Sequence, residues 1–357
     1  MTAIAALILA AGKGTRMKSE RPKVLHAIAG EPLLGHVLAA LSGLKPERTV
    51  VVVGFGAKEV ENYLKKLPLE VETVEQSEQK GTGHAVMMAL PAFEGFEGDV
   101  LILSGDVPMI SPATLEKMIE THRESRSSLT LLATRIEHPK GYGRIKREGD
   151  DFVGIVEERD ASEEERKIKE INAGIYLARW TDLKSALDGL SNQNAQGEYY
   201  LTDVVKFAVA DGLAVHAHRI TDAVQVAGVN SPAQLAELER AYQRRRADEL
   251  LVQGVRLADP ARFDVRGELV CGQDVEIDVN CVFEGTVHLG DGVRIGANCV
   301  IANAVIGAGA VIHPFTHIEG EKAGVKVGAG ALIGPFARLR PGADLGAEVH
   351  IGNFVEV

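Results

Sequence analysis

Leu9-Ala10-Ala11-Gly12-Lys13-Gly14-Thr15-Arg16-Met17 sets two glycines beside two cations at the end of an apolar run, Ile4 to Leu9. Glycine carries no Cβ, so backbone N–H groups at such positions can approach anionic oxygens closely. Lys13, Arg16 and, a few residues later, Lys23 add positive charge beside them. The chemistry implied is the gripping of a polyphosphate; a tight turn with solvated charges is the other reading of the same residues. Two familiar phosphate motifs are excluded by spacing. A P-loop needs its lysine after the second glycine, and the dinucleotide fingerprint needs a third glycine where Met17 stands.

Three further clusters carry chemistry. Gln76-Ser77-Glu78-Gln79-Lys80-Gly81-Thr82-Gly83-His84-Ala85 offers the Gln76 amide plus backbone donors and acceptors, as a base-reading pocket requires, or else an N-capped helix start with Thr82 as the cap. Asp106, in Ser104-Gly105-Asp106-Val107-Pro108, is placed either to hold a hydrated Mg2+ bridging phosphates or simply to make a turn. Asn172 is a ligand-reading amide or a buried asparagine satisfying backbone.

The elements that must position these residues follow from periodicity. Ile4 to Leu9 and Val100 to Leu103 read as buried strands, and Thr49 to Val53 and Val71 to Val74 as two more. Helical patterns over 32–44, 57–67, 85–90 and 112–125 separate or follow them. This alternation implies βαβ units and a parallel sheet, whose carboxyl edge is where open α/β sheets bind ligands. Leu129 to Ile136 is another strand, and Gly141 to Ile145 with Val153 to Glu158 reads as a β excursion forming a substrate lid. The charged run 161–170 reads as a solvated helix, and 223–226 as strand-like. Ser231-Pro232 with Gln234 has capping-box spacing and opens a helix to about Gln253.

Beyond Gly254 the alternation stops. From Val275 an aliphatic residue followed by a small or polar one recurs every six residues, at Ile277, Phe283, Leu289, Ile295 and Ile301. A one-residue slip leads to Ile306, Ile312 and Ile318, and a longer interruption to Val327, after which Ile333, Leu339, Leu345 and Ile351 restore the period. Such a hexapeptide period marks a β-helix in which three repeats close one coil. Cys281 and Cys299 lie three repeats apart and are expected to stack at about 4.8 Å as two reduced core thiols.

The 357 residues carry a net charge of −11, with basic residues dispersed, which argues against nucleic acid or an anionic membrane as partner. No apolar stretch reaches the roughly 18 to 20 residues needed to span a bilayer. The odd count of three cysteines shows no metal-ligand spacing, and the chain reads as reduced and cytoplasmic.

Leu9 to Met17, Pro22-Lys23, Gln76 to Ala85, Gly105-Asp106, Gly141 to Ile145, Glu157, Asn172, Gln196 to Asp203, Asn230 and the hexapeptides, in that order across nearly the whole chain, resemble the bacterial bifunctional N-acetylglucosamine-1-phosphate uridyltransferases/glucosamine-1-phosphate N-acetyltransferases. The resemblance implies a Rossmann-like α/β nucleotidyltransferase domain over 1–230, a connecting helix over 231–254 and a left-handed parallel β-helix over 255–357. Carried onto this chain, it implies that Leu9, Ala10, Ala11, Gly12, Arg16 and Lys23 grip UTP and that Gln76, Gly81 and Thr82 read uracil. Asp106 and Asn230 would hold Mg2+, and Gly143, Glu157 and Asn172 would bind N-acetylglucosamine 1-phosphate. The implied catalytic residues are Arg16, Lys23 and Asp106, and the implied assembly is a homotrimer.

Arg340 matches a sugar-phosphate contact of the family's second activity, which uses acetyl-CoA and glucosamine 1-phosphate. The family's remaining acetyltransferase residues lie beyond Val357, so acetyl transfer is expected to be absent and the chain to be a fragment of a longer enzyme. Two other functions compete. One is a nucleotidyltransferase for another sugar nucleotide, against which Gln76 and Gly81-Thr82-Gly83-His84 favour uracil. The other is a non-catalytic, sugar-nucleotide-sensing assembly module, against which Arg16, Lys23, Asp106 and Asn230 stand together.

Overall fold

Four parallel strands form the centre of the first unit: β1 (Ala3–Leu9), β2 (Thr49–Val53), β3 (Glu72–Glu75) and β4 (Gly98–Ser104). β1 lies between β2 and β4, and β3 flanks β2. Leu7, Val50, Val52, Val100 and Ile102 point into one core, while Ala6, Ile8, Val51, Val53, Leu101 and Leu103 point into a second on the opposite face. Both faces are covered, which is why these strands are continuously apolar rather than alternating. The computed structural model describes residues 2–149 and 151–357.

Helices α1 (Leu33–Ala40), α2 (Ala57–Leu64) and α4 (Pro112–Glu124) cover one face, contributing Leu34, Val37, Val60, Leu115 and Met118. α3 (Thr82–Met88), α6 (Trp180–Leu187) and α7 (Asp203–Ala210) cover the other through Val86, Trp180, Leu183, Val204 and Val205. The result is a three-layer α/β/α sandwich.

The sheet is mixed, not wholly parallel. It continues with β5 (Leu129–Arg135), β6 (Arg144–Glu148), β7 (Asp151–Val156), β8 (Glu170–Arg179) and β9 (Val215–Ile220). β8 inserts antiparallel between β4 and β5, and β9 adds parallel to β5. The β6–β7 hairpin reverses the chain before β8, so the return strand runs against its neighbours. Within 161–170 only α5 (Glu163–Arg166) is helical, opened by a Ser162/Glu165 capping box. Residues 223–226 form a 3-10 turn rather than a strand, because the Asp222 carboxylate accepts the Val224 N–H. α6 and β9 were not apparent in the periodicity; every residue of β9 is only partly buried or exposed, so it carries no apolar run.

Chain contacts divide the molecule into a unit of 1–26 with 32–234 and a unit of 27–31 with 235–357. The second unit contains most of α8 (Pro232–Val252) and the repeats. Its strands form two parallel ladders, one running through Arg256–Leu257, Glu276–Ile277, Arg294–Ile295, Val311–Ile312, Leu332–Ile333 and His350–Ile351. Ile277, Ile295, Ile312 and Ile333 stack on that ladder and are all buried. Within this unit the buried Gln243 amide donates to Val265 O and accepts from Val265 N–H, and Glu239 accepts the Ala29 N–H. Cys281 and Cys299 are buried free thiols that donate to Gly296 O and His313 O, each at 3.2 Å.

Candidate functional site

The carboxyl ends of β1, β3 and β4 share one edge of the sheet, and the sequence-derived candidates gather there. Leu9 O accepts the Gly105 N–H at 2.9 Å, joining the first glycine turn to the Asp106 turn. Gly14 adopts φ +62°, and a Cβ there would stand 2.8 Å from the Lys23 Cβ. Only glycine combines that conformation with that approach, so Gly14 sets the path that brings Lys23 back over the turn. A Cβ on Gly12 would meet no protein atom within 4 Å. The fold itself therefore does not require glycine at 12. Arg16 lies exposed on the 3-10 turn Thr15–Met17.

Lys23 is the centre of this arrangement. Its Nζ donates to Asp106 Oδ2 at 2.5 Å and to Asn230 Oδ1 at 3.2 Å, with the Lys23 and Asp106 side chains about 15% exposed. Asn230 is fixed by its own backbone: its N–H donates to Gln234 Oε1, while the Gln234 N–H donates to Ser231 Oγ. Only the Ser231 half of the expected capping box is present; the Gln234 side chain accepts the N–H of Asn230 instead of that of Ser231, which orients Asn230.

Gln76 is buried, and its Nε2 donates to Gly81 O at 3.1 Å and lies 3.0 Å from His84 Nδ1. That fixes the amide with Oε1 turned away from the loop, as an acceptor. Gly81, at φ +102°, is the N-cap of α3, and Thr82 is its first residue, so Thr82 does not cap the helix. Thr82 Oγ1 instead accepts the Leu201 N–H at 3.1 Å.

A third group surrounds the β6–β7 hairpin. Because β8 is antiparallel, its N-terminal end, carrying Asn172, reaches the same edge as the carboxyl end of β4. The Asn172 N–H donates to Gly143 O, its Nδ2 to Tyr176 Oη at 2.6 Å, and its Oδ1 accepts the Gly174 N–H. A Cβ on Gly143 would stand 3.6 Å from both Glu157 carboxylate oxygens. Burial pushes the Glu157 carboxyl up, Asp203 and Asp160 adding to that, against the Thr202 hydroxyl, which donates to Oε1 at 2.9 Å, and Lys206.

Three residues of this site had no assigned role on sequence grounds: Tyr142, Tyr176 and Thr202. Burial raises the Tyr142 phenol, a backbone hydrogen bond from Gly228 opposes that, and the Asp106 charge adds to it. Its setting in Gly141-Tyr142-Gly143 was the available signal. Arg340 lies in the second unit, exposed and paired with Glu356 at 3.2 Å.

A mixed α/β/α sheet with a glycine turn, a lysine–carboxylate–amide cluster and a base-loop amide on one edge defines a nucleotidyltransferase domain, here followed by a hexapeptide solenoid. Residues 6–253 match the MobA-like NTP transferase domain and 269–303 the bacterial transferase hexapeptide (six repeats). The Bifunctional protein GlmU of Paracidovorax citrulli is 59% identical over all of this chain and 77% of that protein. That of Polaromonas naphthalenivorans is 61% identical over 98% of this chain and 76% of that protein. A UDP-glucose pyrophosphorylase solved with UDP-glucose shares the fold over 69% of this chain and 100% of its own, with a TM-score of 0.56 at 20% identity. The chain belongs to the GlmU family of bifunctional proteins, and its activity is that of an N-acetylglucosamine-1-phosphate uridyltransferase.

Proposed function

We propose that the edge cluster performs this reaction with the following division of labour. The backbone of Leu9, Ala10, Ala11 and Gly12, with Arg16 and Lys23, receives the UTP triphosphate. Gln76 Oε1 accepts the uracil N3–H, with Gly81 and Thr82 beside it, and Gly143, Glu157 and Asn172 take the sugar of N-acetylglucosamine 1-phosphate. A phosphate oxygen of that sugar attacks the α-phosphorus of UTP in line, the α–β anhydride bond breaks, and pyrophosphate leaves with the bonding electron pair. The attacking oxygen is already anionic, so positioning and charge neutralisation outweigh proton transfer.

The donor set fits Mg2+. Asp106 Oδ2 and Asn230 Oδ1 already converge on one cationic atom, the Lys23 ammonium, and no larger His, Cys, Asp or Glu cluster exists among the described residues. A hard-oxygen pair of this size suits an ion that completes its shell with water and phosphate. Held by Asp106 and Asn230, Mg2+ would act as a Lewis acid that offsets phosphate charge.

The observation that carries the assignment is the Lys23–Asp106–Asn230 cluster beside the glycine turn. Pyrophosphate release from N-acetylglucosamine 1-phosphate and Mg2+ with UTP, run beside ATP, GTP and dTTP, tests it. Release confined to UTP is the expected result, and release with another nucleotide overturns the role of Gln76. The same reading takes 1–230 as the transferase domain, 231–254 as the connecting helix and 255–357 as the solenoid, with a cytoplasmic homotrimer as the assembly, which light scattering tests. Arg340 would then contact sugar phosphate on the solenoid.

A further inference from the structure

The segment 199–202 has no part in the division of labour above, yet it touches both substrate-reading loops. The Tyr199 N–H donates to Lys80 O and Tyr199 O accepts the Gly83 N–H, each at 2.8 Å, and the Leu201 N–H donates to Thr82 Oγ1. A Cβ on Gly81 would lie 2.5 Å from Tyr199 O, so the base-reading loop and this segment are packed backbone against backbone. The next residue, Thr202, is buried and occupies the N-cap position of α7, where a threonine hydroxyl ordinarily accepts a helix N–H. Here it makes no cap. Its hydroxyl turns instead to Glu157 Oε1 at 2.9 Å.

We propose that Thr202 is a positioning residue that orients the Glu157 carboxylate for the sugar phosphate. The proposal rests on Glu157 being the sugar-reading carboxylate. The groups facing Glu157 make the donor necessary. Asp203 and Asp160 repel its charge, Lys206 attracts it, and the Tyr176 and Tyr200 phenols lie near enough to sense it. With a charge held in such surroundings, one neutral donor on Oε1 limits rotation of the carboxylate and favours the ionised form. The three backbone ties of 199 and 201 hold the Thr202 backbone, so the hydroxyl is set by the same structure that sets the base loop.

Thr202→Val keeps the shape and removes the donor. We expect KM for N-acetylglucosamine 1-phosphate to rise about tenfold while KM for UTP stays within about twofold, and Thr202→Ser to restore most of the loss. The acid limb of kcat/KM for the sugar phosphate should move to higher pH in Thr202→Val, because the carboxylate has lost a stabilising donor. An unchanged KM and acid limb, or equal rises in both KM values, overturns the proposal. Glu157→Gln is measured alongside. If it leaves KM for the sugar phosphate unchanged, the reading of Glu157 fails; if it raises KM while Thr202→Val does not, the positioning role alone fails.

Discussion

Lys23 and Asp106, 83 residues apart in sequence, meet through a 2.5 Å Nζ–Oδ2 contact that also draws in Asn230 Oδ1. The ammonium therefore occupies the two oxygens proposed above for Mg2+. On that proposal a cation and its competitor share one pocket, and each can be removed separately.

Asp106→Asn keeps the shape and removes the charge. Turnover is expected to fall about a hundredfold or more, roughly 3 kcal/mol of transition-state stabilisation. Steady-state pyrophosphate release measures it; near-normal turnover with unchanged Mg2+ dependence would remove Asp106 from the site.

Lys23→Ala separates two effects. Turnover should drop at least about tenfold because the cation proposed to receive the triphosphate is gone. Mg2+ binding without nucleotide should tighten, since the competing ammonium has left Asp106 and Asn230. Isothermal titration with Mg2+ reads the second effect, and weaker binding would contradict the shared-pocket account.

The two glycines of the first turn should respond differently. Gly14→Ala forces φ +62° on a residue with a Cβ that collides with Lys23, so it should cost about 1–2 kcal/mol of stability and impair turnover. Gly12→Ala meets no protein atom within 4 Å and should leave the melting temperature unchanged while raising KM for UTP. Calorimetry and kinetics on the pair test this; equal destabilisation would be inconsistent with it.

Burial pushes the Cys281 thiol up to about 11 and the Cys299 thiol up to about 12. At pH 8, well below both, each remains a neutral thiol and a poor nucleophile. Native protein should show no labelling at these two positions by an aromatic disulfide reagent, and full labelling after denaturation. Rapid native modification, read by peptide mass spectrometry, would exclude their burial in the solenoid.

Phe315, Phe336 and Phe354 stack on one corner of the solenoid at 5.0 and 5.3 Å, each with φ near +60°, while Asn280 and Asn298 take the same conformation. Phe336→Asn should relieve about 1 kcal/mol of backbone strain and lose stacking of about 0.5–1.5 kcal/mol per neighbour. With two neighbours the stacking loss is about 1–3 kcal/mol, which the relieved strain offsets in part. Urea unfolding should show a change within about 1–2 kcal/mol, and a much larger loss would mean the ladder is a structural spine.

Much of the fold was legible because it rests on local spacing. Buried strands such as Val100 to Leu103 are continuously apolar, and the six-residue period survives a slip and an interruption because stacked coils need their aliphatic residues in register. The antiparallel return of β8 was not legible, since strand direction depends on where a hairpin sends the chain. Nor was the 3-10 turn at 223–226, which one Asp222 hydrogen bond decides.

The same division runs through the site. Residue type and order by themselves determined the family, the glycine turn and the candidate groups Lys23, Gln76, Asp106, Glu157, Asn172 and Asn230. Tertiary structure alone decided that Lys23 joins Asp106 and Asn230, that Gln76 spends its donors on Gly81 and His84, and that Thr202 serves Glu157 rather than its own helix. Spacing along a chain restricts which residues can share a strand or helix face; which partner a side chain chooses depends on how the folded backbone turns, over 5 and 8 residues for Gln76, and on groups brought close from 45 to 207 residues away for Thr202 and Lys23.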